Sequence, residues 1–344
     1  MTMRPSIAQH ERERRVFVVA EVAQAHDGSL GILHSFIDAC AATKVDAVKF
    51  QIHIAEAESS AEEPFRVPFS FVDATRFEYW RRMSFSERQW HEIKTHCDKA
   101  GVEFLATPFS NAAVNLLERL GVRRYKIGSG DATNEVLIEA IARTGREALL
   151  STGLATLGEI RWAIERLRPG GVAVLQCTTR YPTKAEEVGL GAIGLLRQML
   201  DCPSGLSDHS GTTHAGIAAT ALGASVVEVH VTFDRRMFGP DAAASLTIDE
   251  LAQLVAGIRF VERARSGDAG KSLTPELERL RETFGRSLAV NRDLPEGHVL
   301  DFEDIEAKKP AGHGLPAKNL DSIVGRRLAR AKARWDFLRE DDLI

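Results

Sequence analysis

The sequence predicts a closed (β/α)8 TIM barrel followed by a small β-rich C-terminal domain, and three observations lead there. Short β-branched runs alternate with segments of helical period eight times in the first ~265 residues, the pattern of a parallel sheet wrapped by helices. The first run is not followed by a GxGxxG turn, which argues against an open dinucleotide-binding sheet. Past about residue 265 the texture turns to Arg, Glu, Gly and Ser before a final stretch of ~60 residues. The expected division is a barrel over 1–265, a linker over 266–284 and the small domain over 285–344. A chain of 344 residues suits one large domain plus a small one.

In order, the candidate strands are Val16–Ala20, Val45–Gln51, Val102–Thr107, Arg124–Ser129, Ala148–Ser151, Val172–Thr178, Ser204–Ser207 and Ser225–Val231. The helix-like segments between them are Ile32–Thr43, Glu87–Ala100, Ala112–Leu120, Glu135–Thr144, Leu157–Leu167 and Thr213–Leu222, with Ile248–Arg265 closing the barrel. Several open on Ser, Thr or Asn, whose side chains cap the free N–H groups of a first helical turn. The tail reads as short strands at Ser287–Val290, Pro295–Val299 and Ile323–Gly325, with Gly and Pro through Lys309–Leu315. At that length a domain is near the lower limit of independent folding, so it is expected to lean on something else.

Lys and Arg total 44 against 48 Asp and Glu, a formal charge of -4, so no global field draws nucleic acid or an anionic membrane. An anion must be bound locally. Met1–Arg15 is rich in Arg, Glu and Gln without an apolar core, unlike a secretory signal, and a cytoplasmic location is expected. The four cysteines, Cys40, Cys97, Cys177 and Cys202, have no CxxC spacing and read as small apolar residues.

In such a barrel the active site lies at the carboxyl ends of the strands, and every candidate strand places a polar group there. They are Glu21, Lys49 with Gln51, Thr107, Lys126 with Ser129, Ser151, Thr178 with Tyr181 beyond it, Ser207 with His209, and His230. Polar residues at strand ends can merely mark turns, but lysine inside an apolar strand is rarely buried without a partner. Lys49 and Lys126, ringed by hydroxyls and by Gly128 and Gly130, form a cradle for a phosphate or carboxylate; the plainer reading is a buried Lys–Glu pair. His209 and His230 stand on neighbouring staves and suit a divalent metal with open positions, and Glu228 points the same way. Glu21 faces the same mouth as a ligand or general base.

The stretches AEVAQAHDGSL (20–30), VKFQIH (48–53), TPFS (107–110), YKIGSGD (125–131), LSTG (150–153), GLSDHS (205–210), VEVHVT (227–232) and FGPDAAAS (238–245) resemble the signature blocks of sialic acid synthases. The tail from FGRSLAV to IVGRRLARA is similar to the antifreeze-like SAF domain, of β-clip type, that ends those enzymes. The resemblance implies condensation of phosphoenolpyruvate with the open-chain aldehyde of an acetamido sugar, giving a nonulosonic acid and phosphate. It further implies phosphoenolpyruvate contacts from Lys49, Thr107, Lys126, Ser129, Ser151 and Ser207. His209 and His230 would hold a divalent metal, Mn2+ first and Mg2+ or Co2+ as alternatives. Glu21 and Asp131 would be the acidic groups near the attacking water, and Gln51, Tyr181 and Asp241 would contact the sugar.

In the family the SAF domain covers the partner's barrel mouth in a domain-swapped homodimer and gives the sugar a basic residue, here Lys309 where Arg is usual. The chain also has Ala25-His26 for Asn-His, Asp131 for Glu, and TTRYP without the usual Asn before Tyr-Pro. These departures lie on the sugar side, so N-acetylmannosamine and the diamino sugars of legionaminic or pseudaminic acid synthesis stay open as acceptors. Two readings of other classes compete: a pyruvate aldolase with Lys49 or Lys126 as Schiff-base lysine, and a non-catalytic sugar- or ice-binding protein.

Overall fold

A computed structural model describes residues 5–267, 270 and 272–344. The first four positions of the expected barrel segment, and Asp268, Ala269 and Lys271 of the expected linker, lie outside the described residues. The elements in order are α1 (Ile7–Arg12), β1 (Phe17–Glu21), α2 (Leu30–Ala42), β2 (Ala47–Ile52), α3 (Ala55–Glu58), α4 (Arg76–Met83), α5 (Glu87–Ala100), β3 (Glu103–Pro108), α6 (Asn111–Leu120) and β4 (Arg124–Ile127). They continue with α7 (Glu135–Arg143), β5 (Glu147–Ser151), α8 (Leu157–Leu167), β6 (Val172–Cys177), α9 (Ala192–Leu200), β7 (Ser204–Asp208), α10 (His214–Ala221), β8 (Val226–Thr232), β9 (Leu246–Thr247) and α11 (Ile248–Ser266). The second unit holds α12 (Pro275–Phe284), β10 (Ser287–Val290), β11 (Ile305–Lys308) and α13 (Leu320–Ile323). The chain divides into compact units over Met1–Gly267 and Asp268–Ile344.

In the first unit β1 to β8 pair in parallel in sequence order, and β8 returns to β1 with Phe17 opposite Val226 and Glu21 opposite His230, which closes the barrel. The short β9 adds to β8 outside the ring. Strands buried on both sides explain the β-branched runs. Helix starts follow the expected chemistry: Thr75, Ser86, Thr156 and Thr247 each form a capping box with the Glu or Gln three residues on.

Alternation along the strands sorts side chains into two cores. Outward residues such as Val18, Val48, Phe50, Tyr125 and Leu206 pack under the helices. Inward residues Phe17, Val19, Ala47, Leu105, Leu149, Ala173 and Val226 fill the lower barrel together with Ile7 of α1. α1 therefore stoppers the amino-terminal end, its Ile7 N–H donating to Glu147 Oε1 at 2.9 Å. Arg124, fully buried, lies 2.7 Å from both Glu103 Oε1 and Glu147 Oε2, and it donates to the Pro5 carbonyl. The polar composition of Met1–Arg15 hid this helix, because its buried residues are Ile7 and His10, one turn apart.

The second unit carries the antiparallel pair β10–β11 over a small core that includes Leu288, Val290, Leu300, Leu328 and Leu338. α12 has no buried residue. Two expected strands are corrected. Pro295–Val299 is a turn with one bridge, Val299 to Arg327, since Pro295 lacks an N–H and Gly297 sits at φ +79°. Ile323–Gly325 is the end of α13 followed by Gly325 at φ +87°, a left-handed turn rather than strand. The real partner of β10 is β11, whose IEAK sequence is too polar to announce a strand. Among the described residues no helix is long and apolar enough to cross a membrane.

Candidate active site

Above the apolar lower barrel the same inward positions become polar. Phe17 and Val19 are followed on β1 by Glu21, Ala47 on β2 by Lys49 and Gln51, Leu149 by Ser151, and Val226 by Glu228 and His230. These side chains line a cavity of about 440 Å³ at the carboxyl ends of the strands. The sequence-nominated residues of the first unit line it, including Thr107, Lys126, Ser129, Asp131, Tyr181, Ser207, His209 and Asp241, with the exception of Thr178, whose hydroxyl is spent on the Glu187 carbonyl at 2.6 Å. Lys309 lies in the second unit, with its ammonium 5.2 Å from the Phe284 ring centre.

The floor is a buried charge cluster. Lys49 Nζ stands 3.3 Å from Glu21 Oε1 and 3.1 Å from Glu228 Oε1, and it reaches Thr107 Oγ1 at 3.5 Å. Lys126 Nζ donates to Ser151 Oγ at 2.8 Å and to the Ile127 carbonyl, with Glu228 Oε1 at 3.5 Å; Ser207 Oγ donates to that same oxygen at 3.0 Å. Both lysines thus have the glutamate partners of the plainer reading and still converge on one cavity. Burial alone would lower both ammonium pKa values. Two carboxylates beside Lys49 outweigh it and hold that pKa above its usual range, whereas at Lys126 burial prevails over the attraction of Glu228, with lesser repulsion from Lys49, and the pKa stays below. Glu228 is buried, yet the two ammoniums keep it in the ionised form, with its pKa below the usual carboxylate range.

A chain of polar contacts runs outward from this floor. Gln51 Nε2 donates to Glu21 Oε1 at 2.7 Å, and Gln51 Oε1 accepts from Gln24 Nε2 at 2.6 Å. His53, two residues beyond Gln51, stacks between Trp80 and Phe109 at 3.8 and 4.5 Å and pairs through Nδ1 with Glu58 Oε1 at 2.6 Å. Glu21, Glu58 and Glu228 each keep one buried oxygen with no hydrogen-bond partner among the described residues, three acceptors that a bound molecule could satisfy.

On the opposite wall the rings of His209 and His230 lie 5.1 Å apart, with Tyr181 packed against His209 at 4.1 Å. His209 Nδ1 is 3.1 Å from the Thr178 carbonyl, an acceptor, which places the proton on Nδ1 and leaves Nε2 a free lone pair. Burial, then the neighbouring His230, hold the pKa of His209 well below the ordinary range, so its ring stays neutral. Imidazole nitrogens suit a divalent metal, and the neighbouring rings of His209 and His230 fit as a two-nitrogen ligand pair. Among the described residues no set of three His, Cys, Asp or Glu is gathered for a metal. Asp241 Oδ2 lies 3.9 Å from His230 Nδ1. Burial raises the pKa of Asp131, although Asn134 donates to it.

Loop packing sets the rim. A Cβ at Gly153 would stand 2.7 Å from the Cys177 carbonyl and from Thr179 Oγ1, so glycine is required for the loop after β5 to reach the one after β6, where Thr179 donates to Ser129 Oγ at 3.0 Å. Sequence reasoning missed His53, Gln24, Glu58 and Arg66. The alternation Lys49, Gln51, His53 carried the signal for the first; Gln24, Glu58 and Arg66 sit on irregular loops or a one-turn helix with no period to read.

The NeuB family matches residues 36–270 and the SAF domain residues 285–344. The chain is 31% identical to the N,N'-diacetyllegionaminic acid synthase of Campylobacter jejuni over 95% of this chain and 100% of that one. It is 31% identical to the human N-acetylneuraminate-9-phosphate synthase over 94% of this chain and 92% of that one. Among solved structures, the N-acetylneuraminic acid synthetase of Leptospira borgpetersenii serovar Hardjo-bovis matches with a TM-score of 0.67 at 30% identity, covering 77% of this chain and 90% of that one.

Proposed function

Because the chain belongs to the NeuB family and closes in an SAF domain, we propose that it condenses phosphoenolpyruvate with the open-chain form of an N-acetylated or diacetamido hexose, giving a nonulosonic acid and phosphate. The observation that carries this reading is the buried cluster of Lys49 and Lys126, ringed by Ser151, Ser207 and Thr107, facing the neutral His209 across one cavity. The lysines and hydroxyls would bind the carboxylate and phosphate of phosphoenolpyruvate, with Ser129 at the rim of the same cradle. C3 of the enol phosphate attacks the aldehyde carbon, water adds at C2, and the C2–O bond breaks to release phosphate.

In that sequence Glu21 has the placement of the proton-handling group at the added water: Oε1 is fixed by Gln51 and Lys49, and Oε2 is buried and unsatisfied. Asp131, whose raised pKa keeps its proton to higher pH, is the second candidate. Gln51, Tyr181 and Asp241 would contact the sugar. A divalent ion held by His209 and His230, Mn2+ first and Mg2+ or Co2+ as alternatives, would supply Lewis-acid polarisation of the aldehyde oxygen. The same reading has a cytoplasmic homodimer in which the SAF domain of one copy covers the barrel of the other and offers Lys309 to the sugar.

The test is phosphate release from phosphoenolpyruvate across a panel of acetamido and diacetamido hexoses, with loss of activity in EDTA. No sugar-dependent phosphate would end this reading. The lowered pKa of Lys126 favours one rival, the Schiff-base aldolase. Borohydride with pyruvate would trap an adduct on that lysine if the rival holds.

A further inference from the structure

Resting on the condensation reading, we propose that Arg66 is a specificity-determining residue of the acceptor subsite, giving hydrogen bonds from Nε and Nη1 to a neutral acyl or hydroxyl oxygen of the sugar. Arg66 lies on the loop between α3 and α4, lines the cavity, and joins three loops of the barrel mouth. Its guanidinium lies 3.9 Å from the centre of the Tyr181 ring, while Nη2 donates to Asp241 Oδ1 at 2.6 Å and to the Pro240 carbonyl at 3.2 Å. Among the described residues Nε and Nη1 have no partner. A guanidinium held over an aromatic face and anchored through one nitrogen is a pre-ordered donor fork, so little ordering remains to be done when an acceptor arrives.

Its charge, unlike its donors, is already matched. At this outer end Arg66 pairs with Asp241 and Arg76 with Glu63, while Glu58 and Asp131 add two more carboxylates. Each guanidinium at this end already has its own carboxylate, so neither is left over for a second anion, whereas the two lysines at the floor converge on one. Tyr181 and Asp241 in turn touch His209 and His230, which places Arg66 over the end where the aldehyde would be held.

The test is steady-state phosphate release by wild type, Arg66→Lys and Arg66→Ala with N-acetylmannosamine, a 2,4-diacetamido-2,4,6-trideoxyhexose and N-acetylmannosamine 6-phosphate. With whichever neutral sugar the wild type uses, Arg66→Ala should raise the acceptor KM about tenfold or more, as loss of charge-assisted hydrogen bonds does. Arg66→Lys, which keeps the charge beside Asp241 but not the fork, should resemble it. The phosphoenolpyruvate KM and the Mn2+ requirement should stay within about twofold, and the 6-phosphate should be used at least about tenfold less well than the neutral sugar. An unchanged acceptor KM, an equal rise in both KM values, a shift confined to Mn2+, or preference for the 6-phosphate would each overturn the assignment. Melting temperatures are taken for each variant; if Arg66→Ala does not fold, Arg66→Lys carries the test. A wild type silent with every sugar refutes the condensation itself, and this proposal with it; an active wild type indifferent to Arg66→Ala refutes this proposal alone.

Discussion

Replacing Glu228 by Gln removes one negative charge from the barrel floor with almost no change of shape. Glu228 Oε1 lies 3.1 Å from Lys49 Nζ and 3.5 Å from Lys126 Nζ and accepts from Ser207 at 3.0 Å. The amide oxygen of Gln can still accept from Ser207 and one lysine, so the loss is one of charge. At an effective dielectric near 20 each ammonium–carboxylate pair at such distances amounts to about 5 kcal/mol of Coulomb energy, before the carboxylate's desolvation is subtracted. Breaking a buried pair from one side costs about 3–5 kcal/mol net, which for a unit of this size lowers the melting temperature by roughly 10 °C. Phosphoenolpyruvate would return negative charge to the same two lysines. Thermal melts of wild type and Glu228→Gln, each with and without phosphoenolpyruvate, should therefore show a less stable free variant that gains more from the ligand. An unchanged melt, or a smaller gain in the variant, would refute the view that the lysines await an anion.

Three further outcomes are expected. His26 accepts the Gly28 N–H on Nδ1, and burial, with lesser repulsion from His53 and Arg82, lowers its pKa from 6.5 to about 3. The unfolded chain then binds a proton that the fold refuses, so stability is complete above pH 6.5 and falls as the pH drops toward 3. His26→Asn, whose Oδ1 can take the Gly28 bond, should remove about 2–3 kcal/mol of that loss by about pH 4.5 in denaturant titrations; an equally steep variant would contradict it. His209→Ala or His230→Ala should weaken Mn2+ binding by calorimetry by at least about tenfold while leaving the circular dichroism unchanged. Ile7→Ala should cost about 2–4 kcal/mol in urea unfolding, since Ile7 is packed inside the barrel's lower core, and a cost under about 1 kcal/mol would show that α1 is no stopper.

What could be read from sequence was what alternation encodes. In a barrel strand every second residue points inward, so Phe17-Val19-Glu21 and Val226-Glu228-His230 announce both an apolar lower layer and a polar mouth. Lys49 and Lys126 stood out because lysine is costly in such places. Contacts between distant loops have no such period: Arg66 meets Tyr181 and Asp241 across more than a hundred residues, and nothing in its neighbours foretells it. The tail was hard for another reason. Outside β10 and β11 the tail pairs through single bridges, such as Leu294 to Lys332 and Leu328 to Leu343, too short to leave a pattern. Four buried cysteines agreed with the packing reading, with Cys177 in the cavity wall.

The stopper formed by Ile7 and the Arg124 pairs has a consequence for traffic. With its lower end filled, the barrel is a well with one open end, and the lysines lie at the bottom while Gln51, Tyr181 and Arg66 stand nearer the top. Whatever occupies the lysines must pass the rim before the rim is filled, and it leaves only after the rim is clear. The single way in and out is thus set at the end of the fold farthest from the rim, where the apolar inward side chains of the strands and Ile7 of α1 leave no second passage among the described residues.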